Sequence, residues 1–257
     1  MSGLSVERDD GIARVWLDRP ERRNALDAAL IAAVTETFTS LAADETLRGI
    51  VLAGRGPSFC AGGDLDWMRA SGELPYERNV ADAELAAAMF SAVDACPVPV
   101  VARVHGAAIA GGTGLACCCD IVLARDDARF GFSEVRLGLV PATIAPFALA
   151  RIGRSQARAL FLTGEIFGAA HAHAIGLVHE LHGDDTALDG AVERVAGALR
   201  RAAPGALRAA KALLAELRDG DPAPQSRRAA QVIAERRASA EAREGIAAFF
   251  ERREPRF

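Results

Sequence analysis

The chain has 257 residues, 51% hydrophobic and 25% charged, with a formal net charge of -4 and a pI near 5.8. That apolar content excludes a disordered chain, the acidic balance argues against a nucleic-acid binder, and no run is long and uncharged enough to span a bilayer. Lys211 is the single lysine, so any anion site falls to arginine, which binds phosphate well even inside an acidic protein. From the start, residues 1–10 carry no apolar leader core, which predicts a cytoplasmic protein. Ile12 to Asp18 alternates apolar and polar residues after Gly11 and is expected to be a half-buried strand that Pro20 ends. Asn24-Ala25-Leu26-Asp27 opens a helical run, with Leu26, Leu30, Ile31, Val34 and Phe38 at helical spacing. Gly49 to Ala53, Val98 to Val104 and Asp120 to Ala124 are short apolar runs, the mark of buried strands. Helical stretches such as Ala81 to Ala95 separate them, which predicts an α/β fold.

After about residue 185 the chain is rich in Ala, Arg, Glu and Leu. Pro204 and Asp219-Gly220-Asp221-Pro222 break that stretch into helices. The expected organisation is an α/β core over 1–195 and a helical region over 196–257. Cys60, Cys96, Cys117, Cys118 and Cys119 fit neither a disulfide framework nor metal-ligand spacing. They read as reduced core residues, in keeping with a reducing cytoplasm. His171, His173, His179 and His182 lack acidic partners at ligand spacing, so no metal is expected.

Two glycine-bearing loops each follow a predicted strand and precede a helical pattern. One is Ser58-Phe59-Cys60-Ala61-Gly62-Gly63-Asp64-Leu65; the other runs from His105-Gly106 to Gly111-Gly112-Thr113-Gly114. Such turns point backbone N–H groups outward at a helix N-terminus, where the dipole favours negative charge. Two of them converging make an oxyanion hole. The second loop does not fit the G-x-G-x-x-G dinucleotide pattern, and no Gly-Lys-Ser/Thr occurs, which excludes a P-loop.

In combination these loops resemble the enoyl-CoA hydratase/isomerase (crotonase) family. Phe59-Cys60-Ala61-Gly62-Gly63-Asp64-Leu65 is similar to its F-x-A-G-x-D-L element, and the 105–115 loop with Cys119-Asp120 to its second motif. Phe130 to Pro141 is similar to its third. Arg19-Pro20 with Asn24-Ala25-Leu26, Leu162-Thr163-Gly164, and Ala174 to Val178 extend the likeness over the whole chain. The resemblance implies a spiral core of ββα units and a helical C-terminal region that closes a homotrimer or a dimer of trimers. It implies a coenzyme A thioester as substrate and no prosthetic group. The thioester oxygen would lie between the N–H groups of Gly63 and Gly111, with Glu134 as acid/base. Arg22, Arg23, Ala25, Ala61, Gly63, Asp64, Leu65 and Asp66 would hold the coenzyme, joined by Phe249 and Arg252 reaching a neighbour's nucleotide. His105 is assigned to the turn rather than to chemistry.

One departure matters. Gly114 stands where the best-known hydratases carry a second glutamate, and Ala142 stands where some members carry an aspartate. The two-carboxylate hydration mechanism therefore does not transfer. Two readings stay open: hydration of a 2-enoyl-CoA with Glu134 as the one carboxylate, or isomerisation with Glu134 moving a proton between C2 and C4. Asp64 to Met68 and Ser133 to Ile144 are similar to bacterial methylglutaconyl-CoA-type hydratases of leucine and isoprenoid breakdown. That likeness implies hydration of a branched or carboxylated enoyl-CoA.

Overall fold

The computed structural model describes residues 3–217 and 222–257. Its strands are β1 (Leu4–Asp9), β2 (Ile12–Leu17), β3 (Gly49–Gly54), β4 (Val100–Val104), β5 (Ala107–Ile109), β6 (Ile121–Arg125), β7 (Arg129–Gly131), β8 (Ile166–Gly168) and β9 (Glu180–His182). Its helices are α1 (Ala28–Ala42), α2 (Leu65–Gly72), α3 (Tyr76–Asp94), α4 (Gly111–Cys118), α5 (Ala145–Thr163), α6 (Ala169–Ala174), α7 (Asp185–Arg200), α8 (Pro204–Glu216), α9 (Pro222–Arg237) and α10 (Ala240–Glu251). A six-stranded sheet runs β1-β2-β3-β4-β6-β9 and a three-stranded sheet β5-β7-β8. Only β1 is antiparallel in the larger sheet. β4-β5-α4 and β6-β7-α5 are turns of the ββα spiral that the family resemblance implies.

Parallel strands covered on both faces must be apolar on both, which is why β3 reads Gly-Ile-Val-Leu-Ala-Gly with every residue buried. Side chains alternate across the sheet. Ile12, Val51, Val101 and Leu123 point one way and pack on Leu188, Val192 and Val195 of α7. Ala13, Ile50, Leu52, Ala102 and Val122 point the other way into the main core, with Phe38, Phe59 and Phe130.

Three details differ from the sequence expectation. A strand, β1, precedes β2. Asp10 and Gly11, at φ 43° and 73°, form the hairpin turn between them. Asp-Gly is a strong hairpin signal. The first long helix begins at Ala28, not at Asn24, because Asp27 caps it by accepting from Leu30 N at 2.9 Å. The boundary expected between 195 and 196 falls inside α7, whose apolar face belongs to the core.

Helix α8 is tied back to the core by polar contacts. Arg208 of α8 donates to the carbonyls of Ala42 and Asp44 at 3.0 and 2.5 Å. Lys211 pairs with Asp120 at 2.6 Å, and the same carboxylate accepts from Val100 N at 2.7 Å. Residues 219–221 of the expected Asp-Gly-Asp-Pro break lie outside the described residues, and α9 begins at Pro222. Among the described residues no helix is long and apolar enough to cross a membrane.

Candidate active site

The two glycine loops lie side by side. Cys60 N donates to Ala107 O at 3.0 Å and Ile109 N to Cys60 O at 3.0 Å, so the segments pair as short parallel strands. Leu26 N donates to Gly62 O at 2.7 Å and Asp64 N to Leu26 O at 2.9 Å, which locks the other edge of the first loop. Those bonds leave Gly63 N turned away from both partners. Gly111 is the first residue of α4, where a helix leaves its N–H unpaired. Among the described residues neither N–H donates to a protein acceptor. The approach is close: a Cβ on Gly62, itself at φ 95°, would sit 2.8 Å from Ile109 O and 3.6 Å from Gly111 N. No other residue type fits there.

Asn24 holds this arrangement from below. It is fully buried in the left-handed region at φ 57°. Its Nδ2 donates to the carbonyls of Arg55, Ser58 and Phe59 at 2.9, 2.8 and 3.2 Å, and its Oδ1 accepts from Arg19 N at 2.8 Å. The Arg19 guanidinium binds Ala25 O at 2.6 Å, Asp27 at 2.9 Å and Asp64 at 3.3 Å. Sequence reading placed Asn24 as a helix opener and within the entry motif, without a side-chain role; its tolerance of the left-handed region was the available signal. Asn24→Ala should cost about 3 kcal/mol in urea unfolding, because three carbonyls, those of Ser58 and Phe59 buried, lose their donor. A cost under about 1 kcal/mol would remove Asn24 from this role.

Gly63 and Gly111 both line a cavity of about 630 Å³, whose wall also includes Glu134. Glu134 opens a 3₁₀ turn, Glu134–Leu137, after β7. It is half-buried, and its Oε2 has no hydrogen-bond partner. Burial pushes its carboxyl pKa up from the ordinary value, partly offset by a bond from its own backbone N–H. Gly63, Gly111 and Glu134 are thus brought to one hollow. Gly114 is not in its wall. A Cβ there would meet Ile144 Cγ2 at 2.3 Å and Phe90 Cε1 at 3.2 Å. The space a second acid would need is filled by Ile144 and Phe90, both buried. No motif reading revealed these two residues, because the filling comes from α3 and from the residue before α5.

The expected coenzyme residues divide into two places. Arg22, Arg23, Ala25, Ala61, Gly63, Asp64, Leu65 and Asp66 come together on one rim: Ala61 N donates to Arg23 O at 3.0 Å, and Arg22 pairs with Asp66 at 3.3 Å. Asp64 caps α2 by accepting from Asp66 N at 3.1 Å. Phe249 and Arg252 lie at the end of α10 and line no part of this cavity. Phe249 is 79% exposed, and so is Phe250.

His105 bridges Gly56 O at 2.7 Å and Arg103 at 3.1 Å, a contact that fixes the turn. All five cysteines are free and buried, and burial pushes the Cys60 and Cys117 thiols up to about 12, which leaves them unreactive. Among the described residues no group of three or more His, Cys, Asp or Glu side chains could hold a metal ion.

Residues 7–257 match the model of a family described as enoyl-CoA hydratase/isomerase. The 2,3-dehydroadipyl-CoA hydratase of Escherichia coli is 33% identical over 258 residues, covering 100% of this chain and 99% of that protein. Pseudomonas aeruginosa AtuE superposes with a TM-score of 0.94 at 38% identity, over 98% of each chain. A crystal structure of an enoyl-CoA hydratase from Shewanella pealeana also superposes at 0.94, with 36% identity over 99% of this chain and 96% of its own.

Proposed function

The chain belongs to the enoyl-CoA hydratase/isomerase family, and from that premise we propose that it adds water to the C2=C3 bond of a 2-enoyl-CoA thioester, or removes it in reverse. One observation carries the reading: two unpaired N–H groups, on Gly63 and Gly111, share a cavity with a half-buried carboxylate. The thioester oxygen sits between the N–H groups. Glu134, ionised, takes a proton from water as the water oxygen bonds to C3. The C2=C3 electron pair moves onto the thioester oxygen, and the resulting enolate is held by both donors. That charge exists only after attack, so the donors lower the barrier more than they tighten substrate binding, by a few kcal/mol each. C2 then takes the proton back from Glu134, which returns to its carboxylate.

The coenzyme lies along the rim at Arg22, Arg23, Ala25, Ala61 and Asp64 to Asp66. The 3′,5′-ADP end is served by arginine, as phosphate requires. Ile246, Phe249 and Phe250 of α10 are exposed apolar side chains. They support contact with a second copy, in a trimer or a pair of trimers, where Phe249 and Arg252 would reach the neighbour's nucleotide. The five buried, free cysteines support a reducing, cytoplasmic setting. We assign a branched acyl group. The carboxylate of methylglutaconyl-CoA, which the sequence resemblance implies, finds no cation among the described residues of the cavity wall, and placement in leucine breakdown stands or falls with that acyl group.

One observation favours a second reading. The filled wall at Gly114 leaves Glu134 without a partner acid, which suits isomerisation of a 3-enoyl-CoA by proton transfer from C2 to C4. Absorbance of the conjugated thioester separates the two. Loss of signal from a 2-enoyl-CoA such as crotonyl-CoA is the expected result. A rise from a 3-enoyl-CoA, with 2-enoyl thioesters untouched, would replace hydration by isomerisation.

A further inference from the structure

The acyl end of the cavity has a chemistry of its own. α3 carries Phe90 beside Gly111 and, eight residues earlier, Asp82. At 1.5 Å per residue those positions lie about 12 Å apart along the helix, so Asp82 stands well away from the reacting carbons. Ser71 of α2 donates to its carboxylate at 2.5 Å, and no ion pair involving Asp82 occurs among the described residues. Among the described residues no Arg, Lys or His lines the cavity; its charged side chains are Asp82 and Glu134. Beside Ile31, Trp67 and Asp82 a second hollow of about 200 Å³ opens between α1 and α3, and among the described residues its only other charge is Glu36.

We infer that this pocket selects acyl chains whose far end is uncharged, and that Asp82 is the residue enforcing the choice. The inference rests on the acyl-CoA reading of the site. A carboxylate arriving beside Asp82 would leave water for a wall that holds a like charge and no cation, and both effects oppose binding. An apolar end, or one bearing a hydroxyl that donates to Asp82, meets no such penalty. The second hollow shares Ile31, Trp67 and Asp82 with the first, and Glu36 gives it the same sign of charge.

The test uses the full-length enzyme and paired saturated acyl-CoAs of equal length, one ending in methyl and one in carboxylate, at several lengths, with binding read by calorimetry. At the length that reaches Asp82, the methyl-ended ligand should bind about tenfold tighter or more, a difference of about 1.4 kcal/mol. Asp82→Asn should narrow the gap to less than about threefold by improving the carboxylated ligand alone. Equal or tighter binding of the carboxylated ligand at every length would overturn the inference, and this arm needs only the unmodified protein. A gap that survives in Asp82→Asn would remove Asp82 from the role. Because the ligands are saturated, the result is independent of reaction type: a binding gap without turnover of the matching enoyl-CoAs would leave the inference standing and sink the hydratase reading. Failure of every ligand to bind would overturn both.

Discussion

Glu134→Gln is expected to lower kcat by about a thousandfold, with little change in KM, while raising the melting temperature at neutral pH. The first effect follows from removing the group proposed to move a proton at the thioester, since general acid–base catalysis contributes roughly a hundredfold to ten-thousandfold. The second follows from burial. Desolvation raises the Glu134 carboxyl above its ordinary value of 4.5, so the folded protein binds that proton more tightly than the unfolded chain does. The stability this brings is fully present below the unfolded value and is lost as pH rises through the folded one. At neutral pH the ionised carboxylate is therefore a cost, and the neutral amide removes it. Below about pH 4, where both states are protonated, the two proteins should melt together. The same shift predicts that kcat/KM falls with decreasing pH through the raised value, because the proposed hydration begins from the carboxylate. A variant with undiminished kcat, or one no more stable than the parent at neutral pH, would refute the assignment.

Gly114→Glu, which restores the carboxylate of the two-glutamate enzymes, should destabilise the fold by about 3 kcal/mol and give no gain in activity. A Cβ at that position lies 2.3 Å from Ile144 Cγ2 and 2.9 Å from Ile144 Cβ, and Ile144 is only 1% exposed. Overpacking of this kind costs roughly 1–3 kcal/mol, and an unpaired buried charge adds to it. Combining it with Ile144→Ala opens the space and should return part of the loss, seen in paired urea titrations. Independent, additive effects of the two substitutions would show that Ile144 is not what fills the site.

Much of this was legible in the chain itself, for physical reasons that differ by region. The buried strands β3, β4 and β6 announce themselves because a strand covered on both faces must be continuously apolar. Gly63, Gly111 and Glu134 were found through motifs, and the fold does bring all three to one cavity. What stayed hidden is set by distant packing. Ile144 and Phe90 fill the Gly114 side from elements far apart in sequence, and no local pattern reports that they meet. Asp82 is one acid on a helix whose sequence is otherwise mixed, so nothing marked it as the one that lines the cavity rather than facing water. Asn24 was named, but its three-carbonyl grip depends on where residues 55–59 return.

The filled wall at Gly114 also bears on stereochemistry. Ile144 and Phe90 occupy the space of a second acid, so under the proposed hydration the hydroxyl and the proton both come by way of Glu134. Both new bonds then form on the same face of the double bond. Hydration run in heavy water would yield a single diastereomer of the 2-deuterio-3-hydroxyacyl thioester, that of syn addition, and deuterium scrambled over both faces at C2 would mean that solvent reaches the enolate directly.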